Sequence, residues 1–217
     1  MARRKIDIQQ AVMAADLGYA EKIRASLKER GILMVNLIGS PGSGKTMLFR
    51  ALSGLMTIDS GEVRLDGKLL HKDMSVLPEL GMVLENTGLF PDMTGFENLK
   101  YLASFKARIG SDDIKTAIER VGLDPADKRT YGKYSFGMKQ RIAIAQAIME
   151  SPDVLMLDEP TNGLDEGGVE LIRKLILEEK DRGAIVLLAS HNRDDIEMLS
   201  DKVFHIAEGR VKEAGRS

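Results

Sequence analysis

Cysteine is absent from the 217 residues, which excludes disulfides, thiolate metal sites and a cysteine nucleophile and fits a reducing compartment. Only three histidines occur, widely scattered, so a zinc cluster is not expected. Tryptophan is also absent and aromatics total 5%, too few for the stacking platforms that bind single-stranded nucleic acid. The formal net charge is -2 although 29% of residues are charged, so no bulk electrostatic attraction draws the chain to nucleic acid or to an anionic membrane surface. No apolar run approaches bilayer-spanning length, and "MARRKIDIQQ" has basic residues with no apolar stretch behind them. A cytoplasmic location is therefore expected, without nucleic acid as a partner. The length suits one well-buried α/β domain better than two.

What is present is an alternation of apolar runs of strand length with amphipathic stretches of helix length. From Ile8, the apolar positions Val12, Ala15, Tyr19, Ile23 and Leu27 recur at spacings of four and three, predicting a helix over residues 8–30 that Gly31 closes. "ILMVNLIG" (32–39) is continuously apolar, the pattern of a strand covered on both faces, and is expected at the sheet centre. "KTMLFRALSGL" reads as a helix ending near Gly54, "SGEVRLDGKLL" as two short strands around an Asp66-Gly67 turn, and "LGMVLE" (80–85) as a buried strand. A helical insertion spans about 90–135, after which "SFGMKQRIAIAQAIMES" opens on Ser135 as a helix cap. "VLMLDE" and "AIVLLAS" are core strands flanking the helix "EGGVELIRKLILEEKDRG", and "VFHIAEGRV" closes the chain as a hairpin. This order implies a three-layer α/β fold with a mainly parallel central sheet, no internal repeat and no low-complexity tract. The expected organisation is an amphipathic helix over 1–31 followed by one domain over 32–217 with a helical subdomain at about 90–135.

"GSPGSGKT" fits G-x-x-x-x-G-K-[ST] and lies between a strand and a helix, the context that gives the pattern meaning. Gly42 and Gly44 let the backbone turn its N–H groups toward phosphate oxygens, and the following helix adds its positive end. Lys45 is placed to bridge the β- and γ-phosphates and Thr46 to offer its hydroxyl to Mg²⁺. Gly39, Ser40, Pro41, Ser43 and Met47 complete the nucleotide-binding segment. "VLMLDEP" ends a strand on two adjacent carboxylates. Asp158 can hold Mg²⁺, and because side chains alternate along a strand, Glu159 points elsewhere and can polarise an attacking water. "YSFGMKQ" puts Ser135 and Gly137 at a second helix N-terminus.

These motifs in this order resemble the ATP-binding cassette subunits of ABC transporters from about Thr46 to Arg210. The phosphate loop is followed by "YSFGMKQR" where the family commonly has LSGGQ, then "LMLDEP", "NGLD" and a switch histidine in "ASHN". "YSFGMKQRIAIAQAIMESPDVLMLDEPTNGLD" and "VLENTGLFPDMTGFENL" are similar to the branch that exports lantibiotic and bacitracin-type peptides, with Glu85 at the position usually held by the Q-loop glutamine. The resemblance implies Mg²⁺-dependent ATP hydrolysis, with GTP as an alternative nucleotide, in a nucleotide-dependent homodimer. Ser135, Phe136, Gly137 and Met138 of one copy would close on the γ-phosphate held by the other. Asp165 would couple the sites, and His191 would steady the γ-phosphate and the water. Glu85 would be a further Mg²⁺ contact, and the region from Glu85 to Phe96 would dock a membrane transporter subunit.

The amino-terminal segment follows a different pattern. "KIDIQQAVMAADLGYAEKIRASLKERGILMVNLIGSPGSGKT" resembles the opening of the nickel-inserting GTPases of hydrogenase maturation, whose amphipathic helix leads into the phosphate loop. ABC subunits usually place strands there and an aromatic that stacks on adenine. The combination reads as a composite of two phosphate-loop proteins, natural or engineered. It implies that "GEVRL" and "LLHKD" leave an open ribbon edge, that Tyr19 packs in a core rather than on a base, and that nucleotide binding is weakened. "NRDD" (192–195) imitates the guanine-reading N-K-x-D element but has arginine for lysine and suits a helix start, so it is read as coincidence. The alternatives to hydrolysis are a folded scaffold that binds nucleotide without turnover and, less favoured, a GTP-dependent metallochaperone.

Overall fold

A computed structural model describes residues 6–9, 34–40, 42–65, 67–84, 88–207 and 210–214. Strands β1 (Ile6–Gln9), β3 (Glu62–Leu65) and β4 (Lys68–Leu69) form an antiparallel sheet in the order β1-β3-β4. A second sheet has the order β5-β6-β7-β2-β8-β9, from β2 (Met34–Ile38), β5 (Leu80–Val83), β6 (Val154–Asp158), β7 (Ile185–Ala189), β8 (Lys202–Ala207) and β9 (Arg210–Ala214). All its pairings are parallel except β8 with β9.

The continuous apolar runs are explained by this sheet's two covered faces. On β6, Leu155 and Leu157 join the core built on the long helices, whereas Val154 and Met156 face the opposite core. On β7, Val186 and Leu188 take the first side and Ile185, Leu187 and Ala189 the second. Helices α3 (Ser111–Arg120), α4 (Phe136–Ile148) and α5 (Glu166–Arg182) and helix α2 (Gly95–Ala103) contribute Leu99, Ile118, Ile144 and Ile176 to the first core. Helix α1 (Lys45–Ser53) contributes Phe49 and Leu52 to the second, where Val63 and Leu65 of β3 also pack. Each fully buried aliphatic or aromatic side chain of this kind contributes about 1.5–3 kcal/mol of transfer free energy. Helix α6 (Arg193–Leu199) precedes β8.

The helix ends follow the expected chemistry. α1 stops at Gly54, whose φ of +89° closes the last turn. α2 starts with a reciprocal capping box: Glu97 N–H donates to Thr94 Oγ1 at 3.2 Å, and Thr94 N–H donates to Glu97 Oε2 at 2.8 Å. Buried Asn98 then accepts from Phe90 N–H at 2.7 Å and donates to the Phe90 carbonyl at 3.0 Å, which fastens the loop before α2 to the helix.

The amino-terminal expectation requires a correction. Ile8 and Gln9, read as the beginning of a helix, lie in β1, which pairs antiparallel with β3 in the register Ile8↔Val63 and Gln9↔Glu62. β1 therefore lies along the β3 edge that was expected to remain open. The physical reason is the alternation of "KIDI", a period-two pattern suited to an edge strand, which the stronger helical period downstream obscured. The remainder of the expected helix, including Tyr19 and Gly31, lies outside the described residues.

Candidate functional site

β2 delivers the chain into the phosphate loop through a point where only glycine fits. A Cβ on Gly39 would stand 2.3 Å from Ser43 Oγ and 2.5 Å from the Ile206 carbonyl oxygen. Gly42 and Gly44 have φ of +81° and +101°, the left-handed region that turns successive N–H groups to one side. Ser43 N–H donates to the Ser40 carbonyl at 3.0 Å, and the Lys45 ammonium donates to the Gly39 carbonyl at 2.5 Å, drawing Lys45 back across the loop. Ser43 Oγ is buried on the Gly39 side of the loop and has no hydrogen-bond partner among the described residues. Half-exposed Met47 borders the same cleft, of about 920 Å³; Pro41 lies outside the described residues.

The carboxylates at the end of β6 are not parted by strand alternation as expected: the strand ends at Asp158, Glu159 has left the extended conformation, and both border the same cleft. Thr46 Oγ1 donates to Asp158 Oδ2 at 2.9 Å, so the hydroxyl and carboxylate that could hold Mg²⁺ are already adjacent. One carboxylate, one hydroxyl and the phosphates of a nucleotide form the ordinary donor set for Mg²⁺, which keeps most of its remaining ligands as water. Among the described residues no cluster of three acidic or histidine side chains could bind a metal by itself. Glu159 leaves the strand with φ of +47°, an unfavourable conformation for a side chain with Cβ, held by its N–H bond to the Ala189 carbonyl at 2.7 Å. That turn swings its carboxylate to 2.8 Å from His191 Nδ1 and 3.8 Å from Lys45 Nζ. Lys45, Thr46, Asp158, Glu159 and His191 thus border one cleft from three separate segments of chain.

The start of the signature segment stands outside the cleft lining. Ser135 caps α4, accepting from Met138 N–H at 3.2 Å, and buried Tyr134 anchors the segment beneath it, its phenol pKa raised by burial. Phe136 is 63% exposed and its ring lies over Gly163, where a Cβ would collide with it at 2.2 Å. Arg141 donates to Asp165 Oδ1 at 2.7 Å; Asp165 also caps α5 through Gly168 N–H while most of its carboxylate remains accessible. Neither Ser135 nor Gly137 is among the residues lining the phosphate-loop cleft of their own chain. Glu85 lies outside the described residues.

This arrangement has a counterpart among known proteins. A family profile described as ABC transporter matches residues 23–162. The chain belongs to the ABC transporter family. It is 45% identical over 184 residues to the uncharacterized ABC transporter ATP-binding protein YybJ of Bacillus subtilis, covering 85% of this chain and 84% of that protein. Identity is 38% over 178 residues with the bacitracin transport ATP-binding protein BcrA of Bacillus licheniformis, covering 81% of this chain and 58% of BcrA. It is 33% over 175 residues with the lantibiotic transport ATP-binding protein SrtF of Streptococcus pyogenes, covering 81% and 75%. A solved dimer of the ATP-binding cassette MJ0796 in a post-hydrolysis state, bound to ADP and Pi, shares the fold at a TM-score of 0.74 and 19% identity, over 98% of this chain and 100% of that one.

ABC ATP-binding domains are ATPases, and this one has the fold to match. The family match begins at residue 23, inside the segment that resembles the nickel-inserting GTPases. Among the described residues no helix is long and apolar enough to cross a membrane. The N-K-x-D imitation is a helix start: Asn192 Oδ1 accepts from Asp194 N–H at 2.9 Å, and Asp195 is fully buried. Two residues near the site escaped the sequence reading. Gln140, on α4, donates to the Glu159 carbonyl at 3.2 Å, tying the signature helix to the turn that aims Glu159. His205, on β8, borders the cleft beside Ile206. The place of Gln140 inside "YSFGMKQR" offered some signal for it; a lone histidine in a terminal hairpin offered none.

Proposed function

We propose that this chain is the ATP-hydrolysing subunit of a peptide exporter, acting as a head-to-tail dimer on a membrane subunit. The observation that carries the reading is the meeting of Lys45, Thr46, Asp158, Glu159 and His191 at one cleft. In this reading the N–H groups around Gly42 and Gly44 and the Lys45 ammonium bind the β- and γ-phosphates. Thr46 and Asp158 hold Mg²⁺, whose role when bound is to neutralise charge on the transferred phosphoryl group. Glu159 accepts hydrogen-bonded water and orients it toward the γ-phosphate, with His191 at 2.8 Å fixing the carboxylate.

The separation of Ser135 and Gly137 from the cleft supports the dimer, since a second copy would bring that helix N-terminus to the exposed γ-phosphate. The accessible Asp165 beside it would then report closure from one site to the other. The names of BcrA and SrtF support an antimicrobial peptide of the bacitracin or lantibiotic class as the transported substrate. A cytoplasmic subunit docked on the inner membrane surface follows from that assignment. A hybrid scaffold without turnover is not favoured, because the described hydrolytic groups stand in mutually consistent positions.

Phosphate release from Mg-ATP and Mg-GTP, measured over a range of protein concentrations, tests the proposal. A rate per subunit that rises with concentration and favours ATP is expected. A rate independent of concentration removes the dimer, and no release with either nucleotide removes hydrolysis.

A further inference from the structure

The loops carrying Glu159 and His191 converge on a carboxylate that lies outside the motifs. Asp195, on α6, is fully buried. Its Oδ2 accepts the Thr161 hydroxyl at 2.6 Å and the Ser190 hydroxyl at 3.0 Å, and its Oδ1 accepts from Arg173 Nε at 2.7 Å. Thr161 stands two residues after Glu159 and Ser190 immediately before His191. One carboxylate therefore joins the end of β6, the end of β7 and the middle of α5.

We infer that Asp195 is a positioning residue for hydrolysis, holding Glu159 and His191 in register through Thr161 and Ser190; this rests on the hydrolase reading above. Three features make it more than packing. First, Glu159 has a left-handed backbone that costs about 1–3 kcal/mol and persists only where its surroundings over-determine it. The Thr161 bond fixes the far side of that turn, while Asn162 N–H closes it on the Glu159 carbonyl at 3.1 Å. Second, Ser190 is saturated in a directed way: its Oγ donates to Asp195 and accepts Asn192 N–H at 3.1 Å, and its N–H donates to Asn36 Oδ1 at 3.2 Å. The residue next to it, His191, is therefore presented from a backbone with little freedom, although its own ring is exposed. Third, the charge balance is local: Arg173 faces Asp195 with Asp194 Oδ2 at 3.7 Å and Asn192 Oδ1 at 3.4 Å, so the cation holds the carboxylate rather than the cleft. A buried, hydrogen-bonded carboxylate of this kind keeps its geometry because every alternative strands a charge.

Removing Asp195 outright would take from Arg173 its shortest ion pair in a mostly buried site, so the test removes the two hydroxyl links instead. Thr161→Val keeps the volume and loses the bond; Ser190→Ala loses the second bond; Thr161→Ser restores the first. Each loss should lower kcat about tenfold with KM for Mg-ATP within about twofold, since a misaimed carboxylate costs turnover rather than binding. Thr161→Ser should recover the rate. In a His191→Ala background Ser190→Ala should add nothing further, because its target is gone. Wild-type kcat in both hydroxyl variants, or losses that multiply in the His191→Ala background, overturn the inference.

A second readout is independent of turnover. With only three histidines, the ring signals of ¹³C-histidine-labelled protein are assignable by single substitutions. Thr161→Val, which removes a bond to Asp195 and not one to the ring, should move the His191 signal, and unmoved His191 in that variant overturns the clamp. Should the wild type release no phosphate, the hydrolase reading falls, and the ring signals still decide whether Asp195 couples the two loops.

Discussion

Replacing Glu159 by glutamine isolates the chemistry assigned to the cleft. The amide has the shape of the carboxylate, so the side chain should stay between His191, 2.8 Å away, and Lys45, 3.8 Å away. What disappears is the negative charge and the ability to accept a proton. A positioned general base contributes about 10²–10⁴-fold, which is about 3–5 kcal/mol of barrier. The cost to stability is small by comparison: the Glu159 side chain is 24% exposed and its attraction to Lys45 is screened by water, leaving under about 1 kcal/mol, or a Tm change under about 4 °C. Binding should not weaken, because the lost carboxylate would otherwise repel the γ-phosphate. The assays are single-turnover phosphate release for chemistry and gel filtration with Mg-ATP for assembly. The expected result is a rate lowered by at least about 10²-fold with ATP retained and a dimer that persists. A variant that turns over within threefold of wild type would remove Glu159 from the mechanism and with it the meaning given to the His191 contact.

Lys45→Ala removes the only phosphate-loop cation and should weaken ATP by about 2–5 kcal/mol, seen by calorimetric titration; unchanged affinity would place the phosphates elsewhere. Gly39→Ala forces a methyl to within 2.3 Å of Ser43 Oγ and 2.5 Å of a backbone oxygen, so the loop should shift at a cost of about 1–3 kcal/mol in denaturant unfolding, with ATP binding lost. Leu99→Ala opens a cavity at a completely buried position of the helical subdomain and should cost about 2–5 kcal/mol in the same measurement. Hydrogen bonds from the Thr94 N–H and hydroxyl hold the Glu97 carboxyl below the ordinary glutamate pKa. Its stabilising effect is therefore complete above that ordinary value and is lost as pH falls through the depressed one. Glu97→Gln should flatten the acid-side decline in Tm without altering the rest of the profile.

The site was legible where it depends on local backbone. "GSPGSGKT" demands glycines at Gly42 and Gly44 because left-handed turns are intrinsic to the loop, and the structure has positive φ at both. The meeting of Asp158 with Thr46 followed from the rule that ligands gather at strand ends, whereas the direction of Glu159 is set by its left-handed backbone just past β6 and not by the strand alternation expected. The amino-terminal strand was less legible, since four residues of period two carry little weight beside a longer helical pattern. Asp195 was illegible for another reason: it is an ordinary helical polar residue whose partner Thr161 lies 34 residues away along the chain.

The amino-acid sequence by itself determined the alternation of strands and helices, the phosphate loop and the order of the motifs. These rest on side-chain periodicity and on turns that a few residues dictate. Tertiary structure decided the strand order β5-β6-β7-β2-β8-β9, the pairing of β1 with β3, the placing of Ser135 and Gly137 outside the lining of their own cleft, and the convergence of Thr161, Ser190 and Arg173 on Asp195. Such convergence depends on how separate loops leave adjacent strands. No local pattern encodes it, because each side chain satisfies its own segment equally well until the sheet brings the partners within hydrogen-bonding range.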